Sequence, residues 1–362
     1  MSDTKKIQVE YIWLDGSNPQ KLRSKTKIIN KKITLVKTSV NGMSSNIDIM
    51  ETDLPNWNYD GSSTKQADTN DSEIILVPRS KFKDPFSDGL LVMCDTYHVD
   101  MTPTNSNKRS ILKEVCDEKD LDQTSWYGFE QEYIMVDNKT HTILGWPPHQ
   151  DSYPLPQGNY YCGVGARNAK GREIAFEHLS KCLEAGLEIS GVNAEVMLGQ
   201  WEYQIGPVTA LQGSDQMWMS RYILYRIGEK YNVEMNIYPK PIKSDDWNGS
   251  GMHVNFSTLE MRDKENIKSG ESIKLIETAC GKLGDKHDKH IKHYGEDNED
   301  RLTGSNETAS YKEFSWGYGD RTASIRIPYA VKDKKAGYLE DRRPGSNADP
   351  YIIVTKLLKT IC

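Results

Sequence analysis

The stretch Gly128–Val136, GFEQEYIMV, places two carboxylates in a run otherwise suited to a buried strand. Tyr, Ile, Met and Val favour a pleated, half-buried surface. Strand side chains alternate faces, so Glu130 and Glu132 point the same way, about 7 Å apart. Like charges on one face repel, and each costs free energy to remove from water. Any fold built on this strand must compensate them with solvent, basic partners or a metal ion.

A second acidic strand answers the first. In NAEVMLGQWEYQIG, residues 193–206, Gln200, Glu202 and Gln204 share one face while Trp201, Tyr203 and Ile205 take the other. Glu195 precedes them, beyond a break at Gly199. In GSGMHVNFS, residues 249–257, Gly251, His253, Asn255 and Ser257 share a face, and Glu340 follows in GYLEDRRP. One Glu alone reads as a solvated strand face, and His253 alone as a hydrogen-bonded core histidine. Recurrence beside Gly- and Asn-rich segments is what gives the set meaning. Several carboxylates, one imidazole and no Cys suit Mg²⁺ or Mn²⁺, the imidazole leaning towards Mn²⁺. Zinc would take more His or Cys.

The arginines form the other half. In DRTASIRIP, residues 320–328, Arg326 shares a face with Thr322 and Ser324, and Arg321 takes the other unless a bend intervenes. Arg301 sits in RLTGSNETAS, and Arg342 follows Glu340 by two. They read either as surface ion pairs or as a clamp for phosphate and carboxylate, which guanidinium grips with paired hydrogen bonds. Metal-binding carboxylates plus arginines make the composition of a phosphoryl-transfer site. There is no Walker loop and no kinase Gly-rich loop, and Gly163-Val-Gly165 lacks the third glycine of a dinucleotide fingerprint. The residues alone reach a metal-dependent phosphoryl-transfer enzyme.

At 362 residues, two domains are expected. The net charge of −6 offers nothing to nucleic acid, and no apolar window reaches membrane-spanning length. The first residues, MSDTKKIQVEYIWLDG, lack the apolar core of a secretory signal. Six scattered cysteines read as free thiols of a reducing compartment, so the expected location is cytoplasmic. Residues 5–100 look β-rich, with Ile7, Val9, Tyr11 and Trp13 alternating and further strands at 27–37 and 73–77. A boundary near 105 divides domains 1–105 and 106–362. Helices are expected over 107–118, 172–185, 214–230 with Ser214 as N-cap, 271–283, and from Pro350 with Asp349 as N-cap. His287, His290 and His293 read as a solvated surface stretch.

The chain resembles glutamine synthetase of the eukaryotic type. The matching segments are LPNWNYDGSST (54–64), GFEQEY (128–133), YYCGVGA (160–166), NAEVMLGQWEYQIGP (193–207), WNGSGMHVNFS (247–257), RLTGSNET (301–308), ASIRIP (323–328) and YLEDRRPGSNADPY (338–351). They run in family order through nearly the whole chain. The resemblance implies an α+β fold. It comprises a small N-terminal β-grasp domain and a larger catalytic domain with an antiparallel sheet flanked by helices. It also implies ATP-dependent joining of ammonia to L-glutamate through γ-glutamyl phosphate.

On the family pattern, Glu130, Glu132, Glu195, Glu202, His253 and Glu340 hold the metal, Mg²⁺ or Mn²⁺. Glu130 and Glu202 share an ion with ATP. Asn255, Phe256, Ser257 and Tyr338 contact the nucleotide, Arg326 binds its phosphates, and Arg321 neutralises the transferring group. Arg301 and Arg342 hold glutamate, with Asp246, Trp247, Asn248 and Gly249 lining its other side. Glu307 closes the site as a flap. Asp60, carried by a neighbouring subunit, binds ammonium and takes its proton. The implied assembly is a homo-oligomer, a decamer of two pentameric rings, with no nucleic-acid or membrane partner. Two departures stand near the mouth: Ser305-Asn306 where relatives carry bulkier residues, and Asp320 where they carry Asn. Asp320 is expected to weaken the hold of Arg321 on phosphate. The competing readings are a related ligase for another amine and a non-catalytic relative.

Overall fold

The computed structural model describes residues 4–32, 54–119, 124–147, 154–305 and 308–362. The chain divides into two compact units, Met1–Ser110 with Glu184–Gly186, and Ile111–Leu183 with Leu187–Cys362.

The first unit is built on β1 (Thr4–Leu14), β2 (Leu22–Lys32), β3 (Trp57–Asp60), β4 (Glu73–Lys83) and β5 (Leu90–Tyr97). They form one sheet in the order β2-β1-β5-β4-β3. The central pair, β1 and β5, is parallel, and antiparallel partners flank it. This is the β-grasp strand arrangement. Val9, Tyr11, Trp13, Leu76 and Val92 point to one face and bury its core, as the period-2 pattern requires. β2 starts five residues before the expected position. Buried Asp15 accepts bonds from the Lys21 amide at 3.0 Å and the Arg23 Nε at 3.0 Å, which draws the start of β2 onto β1. The expected stretch 33–37 lies outside the described residues.

The chain continues through α1 (Lys108–Lys119), β6 (Trp126–Asp137), β7 (Thr142–Ile143), α2 (Arg172–Ala185), β8 (Ile189–Ala194) and β9 (Gln200–Val208). Then come α3 (Ala210–Tyr231), β10 (Val233–Asn236), β11 (Met252–Ser257), α4 (Lys264–Ser269), α5 (Glu271–Asp285) and α6 (His287–Ile291). The last elements are β12 (Trp316–Tyr318), β13 (Ile325–Ile327), α7 (Tyr329–Lys334), β14 (Leu339–Asp341) and α8 (Pro350–Ile361). The large sheet runs β12-β13-β14-β11-β6-β9-β8, with β7 and β10 also on β6. It is antiparallel except for β12 beside β13. Its apolar face carries Phe129, Tyr133, Tyr203 and Val254, all fully buried. Its other face carries the acidic residues.

Two expectations need correction. α3 begins a turn earlier than Ser214, at Ala210 with Thr209 before it. Ser214 is buried inside the helix and bonds back to the Ala210 carbonyl at 2.9 Å, a use of Ser that mimics a cap in sequence. The histidine stretch is not a solvated surface. His287 and His290 are each 4% exposed, and only His293 faces out. The imidazoles can be buried because their nitrogens are satisfied: His287 by the Tyr311 carbonyl (3.0 Å) and Arg343 (3.4 Å), His290 by Tyr294 (3.2 Å) and Thr360 (3.0 Å). None of the six cysteines is in a disulfide, as expected. Among the described residues, no helix is long and apolar enough to cross a membrane.

Candidate active site

Antiparallel register assembles the site. His253 on β11 stands opposite Glu130 on β6, and Glu202 on β9 stands opposite Glu132. Glu340 on β14 pairs with Asn255, and Arg326 on β13 pairs with Glu340. Glu195 enters from the turn between β8 and β9. Five strands thus present polar side chains on one face, because each strand keeps its polar residues two apart.

The His253 Nδ1 lies 3.6 Å from Glu130 and 3.4 Å from Glu340. One ligating atom from each of the three falls within 4.8 Å of the others. Burial pushes the Glu130 carboxyl up, but His253, aided by Asn255 and Arg342, overcomes it and holds the group at about 2. The opposite holds on the far side of the cluster. Burial, then the Glu132 charge, lifts Glu195 to about 8, and burial with the charges of Glu132, Glu130 and Glu195 lifts Glu202 well above the carboxylate range. These carboxylates lack enough positive charge of their own. Hard oxygens with one imidazole and an uncompensated negative charge fit Mg²⁺ or Mn²⁺.

A cavity of about 400 Å³ is lined by all six of these groups together with Arg301, Arg321, Arg326 and Arg342. Arg326 and Arg342 each place Nη1 2.7 Å from one oxygen of Glu340. Arg301 donates to the Arg342, Arg343 and Pro344 carbonyls at 2.9–3.0 Å, so it also staples the segment that follows β14. The bend that brings Arg321 and Arg326 to one cavity lies at Arg321–Ser324, ahead of β13. Asp320 builds it, accepting from the Thr322 amide (2.8 Å) and hydroxyl (2.7 Å).

A second cavity, about 430 Å³, meets the first at Glu130. Asn255, Phe256, Ser257 and Tyr338 line it, with Trp126 and Arg262. The Arg262 guanidinium lies 4.0 Å over the Trp126 ring and donates to the Ser257 carbonyl at 2.7 Å. An apolar chamber opening onto arginines and carboxylates suits a molecule with a flat ring at one end and phosphates at the other.

The family model for the catalytic domain of glutamine synthetase matches residues 105–362. The chain belongs to the glutamine synthetase family. It is 45% identical over 360 residues to the cytosolic glutamine synthetase isozyme of Pinus sylvestris, covering 99% of this chain and 94% of that one. It is 46% identical over 363 residues to the glutamine synthetase of Panulirus argus, covering 99% and 93%. A Plasmodium falciparum glutamine synthetase structure shares the fold with a TM-score of 0.75, at 16% identity, over 98% of this chain and 71% of that one. Glutamine synthetases make glutamine from glutamate and ammonia with ATP and a divalent metal, and this chain is an enzyme of that kind.

The remaining residues named from the sequence fall in different places. Asn248 and Gly249 line the first cavity. Asp246 and Trp247 line neither cavity; Trp247 is buried against Trp146, ring centres 4.9 Å apart, and Asp246 is exposed. Phe256 packs its ring against Tyr127 on the apolar side of the sheet. Asp60 lies in the other unit, exposed at the end of β3, where Ser62 and Ser63 hydroxyls donate at 2.7 Å. These bonds hold its carboxyl at about 2. Glu307 lies outside the described residues, and Thr308 beside it lines the first cavity.

Sequence reasoning passed over Gln200, which donates to Glu132 (3.3 Å) and the Gly249 carbonyl (3.2 Å). It passed over Asn193 and Gln204, which hold Glu195 and Glu202. The signal was present, since Gln200 and Gln204 share the face of Glu202, but only charge was weighed. Arg262 and Trp126 gave no comparable signal.

Proposed function

We propose that this site transfers the γ-phosphoryl group of ATP to the side-chain carboxylate of L-glutamate and passes the acyl group to ammonia. The products are L-glutamine, ADP and phosphate. The observation that carries the reading is the shared cavity in which metal-type carboxylates face four arginines.

A carboxylate repels nucleophiles and offers oxide as its leaving group, so it must be activated before ammonia can attack. Glu130, Glu132, Glu195, Glu202, His253 and Glu340 would hold Mg²⁺ or Mn²⁺. A divalent cation held there would supply positive charge to neutralise the phosphates. The base and ribose occupy the second cavity, between Asn255–Ser257 and Tyr338. Arg326 takes the phosphates as a fork, and Arg321 faces the transferring group. Arg301 and Arg342 hold glutamate, with Asn248 and Gly249 forming its other wall. Glu307 closes over the acyl phosphate and keeps water out. Asp60 stays anionic at any working pH, so it attracts ammonium and orients it for proton loss.

An exposed Asp60 in the smaller unit fits use by a neighbouring chain. The assembly is then a homo-oligomer, a decamer of two pentameric rings. Residues 1–105 form the β-grasp domain, 106–362 the catalytic domain, and the location is cytoplasmic.

The test is nucleophile choice. With ATP, Mg²⁺ and glutamate, ammonium should support far faster turnover than methylamine. Turnover with methylamine but not ammonium would make the chain a ligase for another amine.

A further inference from the structure

Between β8 and β9 lies a chain of hydrogen bonds that joins two site carboxylates without touching either cavity's charged arginines. Gln204 Nε2 donates to Glu202 Oε1 and to Asn193 Oδ1, the latter at 2.8 Å. Asn193 Nδ2 donates in turn to Glu195 Oε1 at 3.0 Å. The second oxygen of Glu195 is fixed by the Val196 amide at 3.1 Å. The strand register sets these neighbours, with Asn193 opposite Glu202 and Gly191 opposite Gln204.

The direction of the chain is forced. With both carboxylates ionised, flipping Gln204 would set its oxygen against Glu202 and the Asn193 Oδ1, and flipping Asn193 would set its oxygen against Glu195 and its NH2 against Gln204 Nε2, so one orientation of each amide satisfies the chain. The relay also needs a vacancy. A Cβ on Gly191 would stand 2.3 Å from Gln204 Oε1, so any side chain there would displace the amide.

We infer that Asn193 and Gln204 are positioning residues that act as one unit, fixing the rotamers with which Glu195 and Glu202 face the cavity that would hold a divalent cation. Two neighbouring carboxylates that repel each other, Glu202 buried and Glu195 half-buried, would otherwise turn apart or take up different rotamers. Both amides spend their donors on holding them together, as the outer partners of ligand groups do in metal sites. Gly191 is the third part of the unit, present to leave room. The inference rests on the metal-dependent ligase reading.

The test is Mn²⁺ titration of the assembled protein by electron paramagnetic resonance, which does not depend on turnover. Asn193→Ala and Gln204→Ala should each weaken Mn²⁺ binding by about 10- to 100-fold. The double variant should be no weaker than either single one, because either break opens the relay. Gly191→Ala, which keeps both amides, should reproduce Gln204→Ala. Melting temperatures report whether each variant folds. Unchanged affinity in folded variants, or losses that simply add, would overturn the inference. No Mn²⁺ binding by the wild-type chain would instead overturn the ligase reading beneath it.

Discussion

Arg326 Nη1 lies 2.7 Å from Glu340 Oε2, so a proposed phosphate-binding guanidinium rests on a proposed metal ligand. Arg342 holds the other oxygen at the same distance. Before substrates arrive, the carboxylate and the arginines satisfy one another. On the proposed assignment, entering phosphates and a cation would give each a new partner, so neither side would be left as an unpaired buried charge.

That pairing makes Arg326→Lys a sharp variant. Lysine keeps the charge but loses the fork. The Michaelis constant for ATP should rise about tenfold or more, the loss of one charge-assisted bond, while that for glutamate changes little. Steady-state kinetics check this.

Asp60 is exposed and caps only a short turn, so it adds little to folding, and the role proposed for it is in the chemistry. Asp60→Asn should leave the melting temperature unchanged and raise the Michaelis constant for ammonium. Mixed with an Arg321→Ala protein under conditions that exchange subunits, it should recover activity. Recovery is the signature of a site shared between chains, and two inactive proteins that stay inactive would argue against sharing.

Asp320 is held by Thr322, not by Arg321. Asn at this position keeps the accepting oxygen and therefore the bend, and removes a negative charge beside the phosphate site. Asp320→Asn should lower the Michaelis constant for ATP. An unchanged or higher value would show that the charge is screened.

Three buried histidines set the acid limit. Burial lowers His178 and His290 to about 4, with Arg343 adding to the effect at His290, and burial lowers His287 too. The unfolded values lie near 6.5, so between these limits the unfolded chain binds more protons. Stability from these neutral imidazoles is complete above about pH 6.5 and is lost as pH falls towards about 4. Melting temperature against pH should drop across that window, and His290→Gln should flatten the drop.

The strands that carry the site were legible because alternation is a local signal: Glu130, Glu132, Glu202, His253 and Asn255 all fall on the face their spacing dictates. The helix from Pro350 was legible from its cap, and Asp349 does accept the Tyr351 amide. What failed was context. Ser214 and the buried histidines look polar and exposed in one dimension, and only tertiary partners reveal that their polar atoms are satisfied inside. Arg221 is fully buried, bonding Gln131 and the Ser346 and Ala348 carbonyls, and nothing near it in the sequence announces this. The Asn193–Gln204 relay was hidden for a related reason. Neutral amides carry no charge pattern, and their meaning lies in a cross-strand register.

The most direct measurement is phosphate release from ATP and Mg²⁺, with glutamate and ammonium present together, singly and not at all, beside a Glu130→Ala control. Release should require both substrates and fall at least a hundredfold in the control. Release that ignores glutamate or ammonium, or that survives in Glu130→Ala, would contradict a glutamate-activating site built on these carboxylates.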